Sequence, residues 1–170
     1  ICHPDPLQKG TMFNKVISTI ARSFEKKGLS TLRFNYRGVG NSHGSYGHVK
    51  GEIDDALSVH DYLKSNGWDQ FHLAGFSFGS FIATSVCTSI QAKSLTLVAP
   101  PVKRFDYQPI WPDIHVNVHQ GLDDDVVIAS DVINFIKHQK RTYCRLYDNT
   151  GHFFHGNLIN LQQEIMTHHD

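Results

Sequence analysis

Three kinds of residue in this chain have the chemistry of acyl transfer. Ser77 stands in Gly75-Phe76-Ser77-Phe78-Gly79, between an apolar run at 71–74 and a helix-like run after Gly79. A serine at a tight strand-to-helix turn needs small neighbours, because the backbone there is strained and closely approached. Gly75 and Gly79 supply them, and Ser77 is read as a nucleophile. The following helix would aim its N-terminus at the hydroxyl, leaving the Phe78 amide free to donate to an oxyanion. The bland alternative is a Gly-Ser turn between buried elements. A hydroxyl attacks only when a base takes its proton, and the base needs an acid to hold its tautomer. Gly121-Leu122-Asp123-Asp124-Asp125 and Asn149-Thr150-Gly151-His152 offer that acid and that base, in the order Ser, Asp, His. Spacing leaves three candidate acids, Asp123, Asp124 and Asp125. His155 is the one rival base, placed farther into an expected helix, with its ring directed away.

The elements that must position these groups alternate. Apolar residues Met12, Val16, Ile20 and Phe24 recur every four positions and predict a helix over 12–27, stopped by Gly28. Residues 29–36 read as a strand, and 37–45 as a glycine-rich surface loop. A helix over 52–65 is marked by Ile53, Leu57, Tyr62 and Leu63. After the elbow come a buried helix at 81–90 and a buried strand at 94–99. A strand over 114–120 follows, in which Ile114, Val116 and Val118 alternate with His115, Asn117 and His119. A helix at 132–140, a strand at 142–147 and a helix at 153–166 complete the pattern. Such alternation predicts an α/β fold, a mostly parallel sheet with helices on both faces and a ligand site at the carboxyl ends of the strands. The Asp and His segments each directly follow a strand, so both belong to the edge that carries the elbow.

Composition bounds the rest. A chain of 170 residues suits one domain spanning 1–170. Sixteen basic and sixteen acidic residues cancel, so nothing favours nucleic acid or an anionic membrane, and a neutral small molecule is the expected partner. The apolar runs are shorter than the ~20 residues a membrane span needs. Three cysteines, Cys2, Cys87 and Cys144, suggest neither disulfides nor zinc and suit a reducing cytoplasm. Twelve histidines include the pairs His115/His119 and His152/His155, but no third ligand at defined spacing accompanies either, so no metal is expected. The chain begins at Ile1-Cys2-His3 in what reads as the end of a strand, without Met, and further strands are expected before it.

These signatures resemble the α/β-hydrolase superfamily. Gly75-x-Ser77-x-Gly79, Gly121-x-x-Asp124-x-Val126-Val127 and Gly151-His152-Phe153-Phe154 are similar to its three motifs, and the resemblance implies Asp124 as the acid and His152 as the base. His3-Pro4-Asp5-Pro6-Leu7, Leu32-Arg33-Phe34-Asn35-Tyr36-Arg37-Gly38-Val39-Gly40 and Ala99-Pro100-Pro101-Val102 resemble a family of small, cap-less bacterial hydrolases related to dienelactone hydrolases and serine aminopeptidases. The resemblance implies a second oxyanion amide from the early loop. Pro4 and Pro6 have no N–H, which leaves Asp5 or Leu7 as the donor, and matching the family's loop position implies Asp5, paired with Phe78. Its carboxylate would then lie near the mouth and oppose anionic substrates. Arg37 is expected to bond loop carbonyls beneath the site rather than a phosphate.

The function expected on these grounds is hydrolysis of a small carboxylic ester or related acyl bond through an acyl-enzyme, with no cofactor. Alternatives are a peptidase, thioesterase or lactone hydrolase with the same triad, and a binding protein that keeps the fold without turnover. Only 14 residues, 100–113, separate two strands where relatives insert a lid, so no lid is expected. Phe105, Tyr107, Ile110 and Trp111 in that segment either wall an open cleft or fill the core.

Overall fold

The computed structural model describes residues 1–168. Four strands form a parallel sheet in the order β1 (His72–Phe76), β2 (Ser94–Val98), β3 (His115–Gly121), β4 (Thr142–Tyr147). Register is regular: Gly75 pairs Leu97, Leu97 pairs Val118, and Val118 pairs Cys144. The helices in chain order are α1 (Lys15–Lys26), α2 (Lys50–Ser65), α3 (Phe78–Ile90), α4 (Ala129–Ile136) and α5 (Leu158–His168). Consecutive parallel strands need crossovers: α3 joins β1 to β2 and α4 joins β3 to β4, while β2 and β3 are joined by residues 99–114, which hold one 3-10 turn at Gln108–Ile110. None of the described helices is long and apolar enough to cross a membrane.

Side chains alternate across the strands and build a core on each face. Leu95, Leu97, Val116 and Val118 join Ile82 and Val86 of α3, Ala56 of α2 and Val132 of α4. On the other face Ala74, Phe76, Val98 and Tyr147 meet Val16, Ile17, Ile20 and Phe24 of α1 and Leu161 and Ile165 of α5. Val16, Ile20 and Phe24 of the apolar stripe read in the sequence are thus the buried face of α1, while Met12 lies in the turn before it. Asn14 caps that helix, its side chain accepting from the Val16 N–H at 2.8 Å.

Several expectations are corrected. Residues 29–36 form no strand: the Leu32 carbonyl accepts from the Ile1 nitrogen at 2.9 Å and the Tyr36 N–H donates to the His3 ring, without a repeating ladder. Tyr62 is 64% exposed, so the buried side of α2 is Gly51, Glu52 and Ala56, with Ile53 and Leu57 packed beside them on the core. Glu52 is buried because its carboxylate accepts from the Gly47 and Val49 amides, at 2.7 and 2.8 Å, at the helix entrance. Strand β3 is buried on both faces from Val116 to Gly121, His119 and Asn117 included, although apolar and polar residues alternate along it. The last helix starts at Leu158 rather than 153. Phe154 and Gly156, at φ 55° and 79°, hold a turn there, and His155 lies exposed in that turn rather than in a helix.

Candidate active site

At the end of β1 the chain turns through Ser77, at φ 52° and ψ −122°, directly into α3. A non-glycine residue in this region is strained and persists only where its surroundings hold it. The hold is visible. A Cβ on Gly75 would lie 2.1 Å from the Gly79 carbonyl oxygen, and one on Gly79 would lie 2.1 Å from that of Cys2. Only glycine permits both approaches. The Ser77 N–H donates to the Val98 carbonyl at 2.9 Å, and the Ser80 hydroxyl lies within reach of the Gly75 and Val98 carbonyls at 3.0 and 3.1 Å. Ser77 is 9% exposed at the tip of this turn.

The turn after β3 separates the three adjacent aspartates. Asp123 and Asp125 are exposed, while Asp124 points inward and is buried. Its Oδ1 accepts from the Val127 and Val126 amides at 2.7 and 2.9 Å. Its Oδ2 accepts from Gln120 Nε2 at 3.2 Å and lies 2.8 Å from His152 Nδ1. Burial alone would raise this carboxyl's pKa, but the hydrogen bonds from His152 and the two amides outweigh it and hold the group below its ordinary value. An ionised Oδ2 fixes the proton on His152 Nδ1 and leaves Nε2 as the acceptor. The imidazole lies against the ring of Phe76, the residue before Ser77, at 5.0 Å. No hydrogen bond joins Ser77 Oγ to the imidazole among the described residues, and such pairs commonly tighten only with substrate bound. Backbone docks the His152 turn on the Asp124 turn: Asp123 N–H donates to the Thr150 carbonyl at 3.0 Å, and a Cβ on Gly121 would lie 2.2 Å from that oxygen.

The third component is the loop at Asp5. Cys2 bridges to Gly75 on the free edge of β1, donating to the Ala74 carbonyl at 2.8 Å, and this brings the loop beside the elbow. His3 is wholly buried, and burial pushes its pKa down to about 4, against the opposing pull of the Pro4 carbonyl and Asp5. Its neutral ring donates from Nδ1 to the Pro4 carbonyl at 2.7 Å and accepts the Tyr36 N–H at Nε2. Among the described residues neither the Asp5 nor the Phe78 N–H has a protein acceptor, as an oxyanion site requires. The Asp5 carboxylate is not offered to the mouth, contrary to expectation. Oδ1 accepts from the Leu7 N–H at 2.9 Å, and Oδ2 from Arg104 Nη2 at 2.7 Å.

Arg37 is structural, but its partner is a carboxylate rather than loop carbonyls. Its Nε and Nη2 donate to Asp55 Oδ1 at 3.0 and 2.7 Å, and its own N–H donates to Oδ2. His115 is exposed, whereas His119 is buried with Nδ1 2.8 Å from the Tyr147 hydroxyl. No group of three His, Cys, Asp or Glu residues among those described is arranged to hold a metal. Tyr107 is buried, and Phe105 and Trp111 pack on the core, so these aromatics fill space under their segment. An apolar cavity of about 350 Å3 lies away from Ser77, between α2, α3 and residues 29–34. The residues that sequence reasoning missed, His3 as a strut, Gln120 and Arg104, act over long separations or through burial, and no periodicity or motif announces them.

The family model described as serine aminopeptidase, S33, matches residues 14–118, more than half of the chain. The chain belongs to this family of α/β hydrolases. The match includes the Ser77 elbow and ends before Asp124. A protein of Rickettsia prowazekii, RP471, is 33% identical over 168 residues, covering 91% of this chain and 70% of its own length. Among solved structures, an α/β serine hydrolase homologue from Coxiella burnetii superposes with a TM-score of 0.93 at 36% identity, over 98% of this chain and 81% of its own. The α/β serine hydrolase without lid XC6422 from Xanthomonas campestris gives 0.93 at 33%, over 98% and 77%. With these relatives, this S33-type chain is a hydrolase by family, and its parallel sheet and short post-β2 segment are those of lid-less α/β hydrolases.

Proposed function

We propose that the chain hydrolyses small carboxylic esters through an acyl-enzyme formed on Ser77. His152 Nε2 accepts the Ser77 proton as Oγ attacks the ester carbonyl, and the Phe78 and Asp5 amides receive the developing oxyanion. Collapse of the tetrahedral intermediate breaks the C–O bond, and His152 returns the proton to the departing alkoxide. Water, deprotonated by the same nitrogen, then releases the acid and restores Ser77. Asp124 holds the imidazole tautomer throughout and stabilises its transient charge. No cofactor takes part.

The observation that carries this reading is the 2.8 Å contact of His152 Nδ1 with an Asp124 carboxylate already fixed by two backbone amides, beside a strained Ser77. The family description raises aminopeptidase activity as a second reading. That reaction needs a carboxylate facing the substrate ammonium, and the Asp5 carboxylate is taken up by Leu7 and Arg104. Asp5 therefore does not supply that carboxylate, and the exposed Asp123 and Asp125 are the candidates a test of this second reading must include. Labelling with a fluorophosphonate probe, on the wild type and on Ser77→Ala, tests the mechanism, followed by p-nitrophenyl esters of increasing chain length with amides and thioesters alongside. Labelling that disappears in the variant is the expected result. A folded wild type that takes no label would refute the mechanism and leave a binding protein on a hydrolase fold.

A further inference from the structure

The two amides assigned to the oxyanion come from segments held very differently. Phe78 opens α3, whose first turn is locked against the sheet by the approaches at Gly75 and Gly79. Asp5 lies where the chain has left the sheet, between two prolines that cannot donate hydrogen bonds. The Asp5 carbonyl accepts from the Gln8 and Gly10 amides, and its Oδ1 from Leu7, but these bonds shape the loop from within. At Asp5 itself, the bond that reaches another part of the protein is the one from Arg104, across 99 positions of sequence.

Arg104 does more than neutralise a buried carboxylate. Its guanidinium carbon lies 5.1 Å from the centre of the Phe105 ring, over its face. Phe105 stacks on Phe81 at 4.5 Å and meets Phe78 edge-on at 5.7 Å. A guanidinium lying on a ring and bonded to a carboxylate has little orientational freedom left. The neighbours Arg104 and Phe105 thus form a bridge with one end on the Phe78 ring and the other on the Asp5 carboxylate. Those are the side chains of the two residues whose amides must converge on one oxygen.

We propose that Arg104 is a positioning residue for the oxyanion hole, setting the Asp5 amide against the Phe78 amide through its grip on the Asp5 carboxylate. The role rests on the serine-hydrolase reading above. A misplaced donor weakens binding of the oxyanion more than binding of the neutral ester, so the loss falls on kcat rather than KM. Losing one oxyanion donor outright costs about 10^2 to 10^3 in kcat. Loosening one costs less.

The test uses Arg104→Met, Arg104→Lys, Asp5→Asn and the Arg104→Met/Asp5→Asn double variant. Each is measured for kcat and KM on p-nitrophenyl acetate, for fluorophosphonate labelling rate, and for amide hydrogen exchange across residues 5–10. In Arg104→Met, kcat should fall about 10- to 100-fold with KM within about twofold, and exchange at Leu7, Gln8 and Gly10 should quicken. Arg104→Lys should recover part of the rate. The double variant should be no slower than the slower single variant, because both substitutions cut one connection. Wild-type kinetics in Arg104→Met, or losses that add in the double variant, would overturn the proposal while leaving the Ser77 mechanism standing. A wild type that takes no label at Ser77 would overturn both, so the two failures are distinguishable.

Discussion

Replacing Asp124 with Asn is the sharpest perturbation of this site, because it keeps the shape and changes one acceptor into a donor. The amide oxygen will take the Oδ1 position, where the Val126 and Val127 amides donate at 2.9 and 2.7 Å. The NH2 group then faces two donors, Gln120 Nε2 at 3.2 Å and the proton on His152 Nδ1 at 2.8 Å. The imidazole escapes by moving its proton to Nε2, so that Nδ1 can accept. In that tautomer Nε2 no longer has a lone pair for Ser77. A wrong-tautomer imidazole in a Ser-His-Asp triad lowers kcat by about 10^4, or roughly 5.5 kcal/mol of barrier. Gln120 Nε2 keeps the Gly121 and Val127 carbonyls, both at 3.0 Å, as acceptors for its two hydrogens, so the loss falls on turnover and Tm should change little. Ester turnover, Tm and the 15N shifts of the His152 ring are the measurements. Asp123→Asn and Asp125→Asn, at exposed positions, should behave as wild type. Asp124→Asn within tenfold of wild type, or an equal loss in either neighbour, would refute the assignment of Asp124 and the tautomer argument with it.

Three further outcomes are expected. Ser77→Gly should abolish turnover yet raise stability by about 1 kcal/mol in thermal melts, since glycine accepts φ 52° without strain; a lowered Tm would contradict the strained elbow. Gly79→Ala should destabilise by at least about 3 kcal/mol, because its Cβ would lie 2.1 Å from the Cys2 carbonyl oxygen and the edge segment would have to move; chemical denaturation at near wild-type midpoint would contradict that packing. Acid should destabilise the fold above the range in which carboxylates titrate. Burial holds His3 at about 4 and His119 at about 3, while both take up protons near pH 6.5 once unfolded. Between those values the unfolded chain binds more protons, so stability falls as pH drops from about 6.5 toward 4, by roughly 3 kcal/mol for each histidine. The depressed Asp124 adds a further loss at lower pH. Urea midpoints measured at pH 7 and pH 4.5 decide this, and equal midpoints would refute it.

The elbow was legible because its requirements are local: a serine needing small neighbours before an apolar helix shows in five residues. The parallel sheet was legible for a similar reason, since β2 is a short apolar run bounded by turn residues and β3 alternates apolar with polar residues between such turns. The acid was not. Asp123, Asp124 and Asp125 are alike in sequence, and what singles out Asp124 is a carboxylate turned toward Gln120, two amides and His152. Residues 153–157 were misread as helix because Phe153 and Phe154 look like an apolar stripe. Their turn, with Phe154 at φ 55°, instead presents His152 and buries Phe154 against Tyr147. The Asp5 carboxylate was misjudged because its partner lies 99 positions away, beyond the reach of any pattern.

The segment between β2 and β3 shows how this molecule can change what it accepts. With Tyr107 fully buried and Phe105 stacked on α3, its backbone is pinned at alternate residues. Asp106 between those pins, and Lys103 and Gln108 on either side of them, are exposed. These three line a cavity of about 330 Å3 with Asp131 and Asn134 of α4, and exchanging them would leave the anchors untouched. Transplanting the whole segment from a relative is a different operation, since the grip on Asp5 travels with Arg104. Selection for a new substrate here should therefore proceed by point changes around the anchors, and grafted loops should lose rate unless the arginine and its aspartate arrive together.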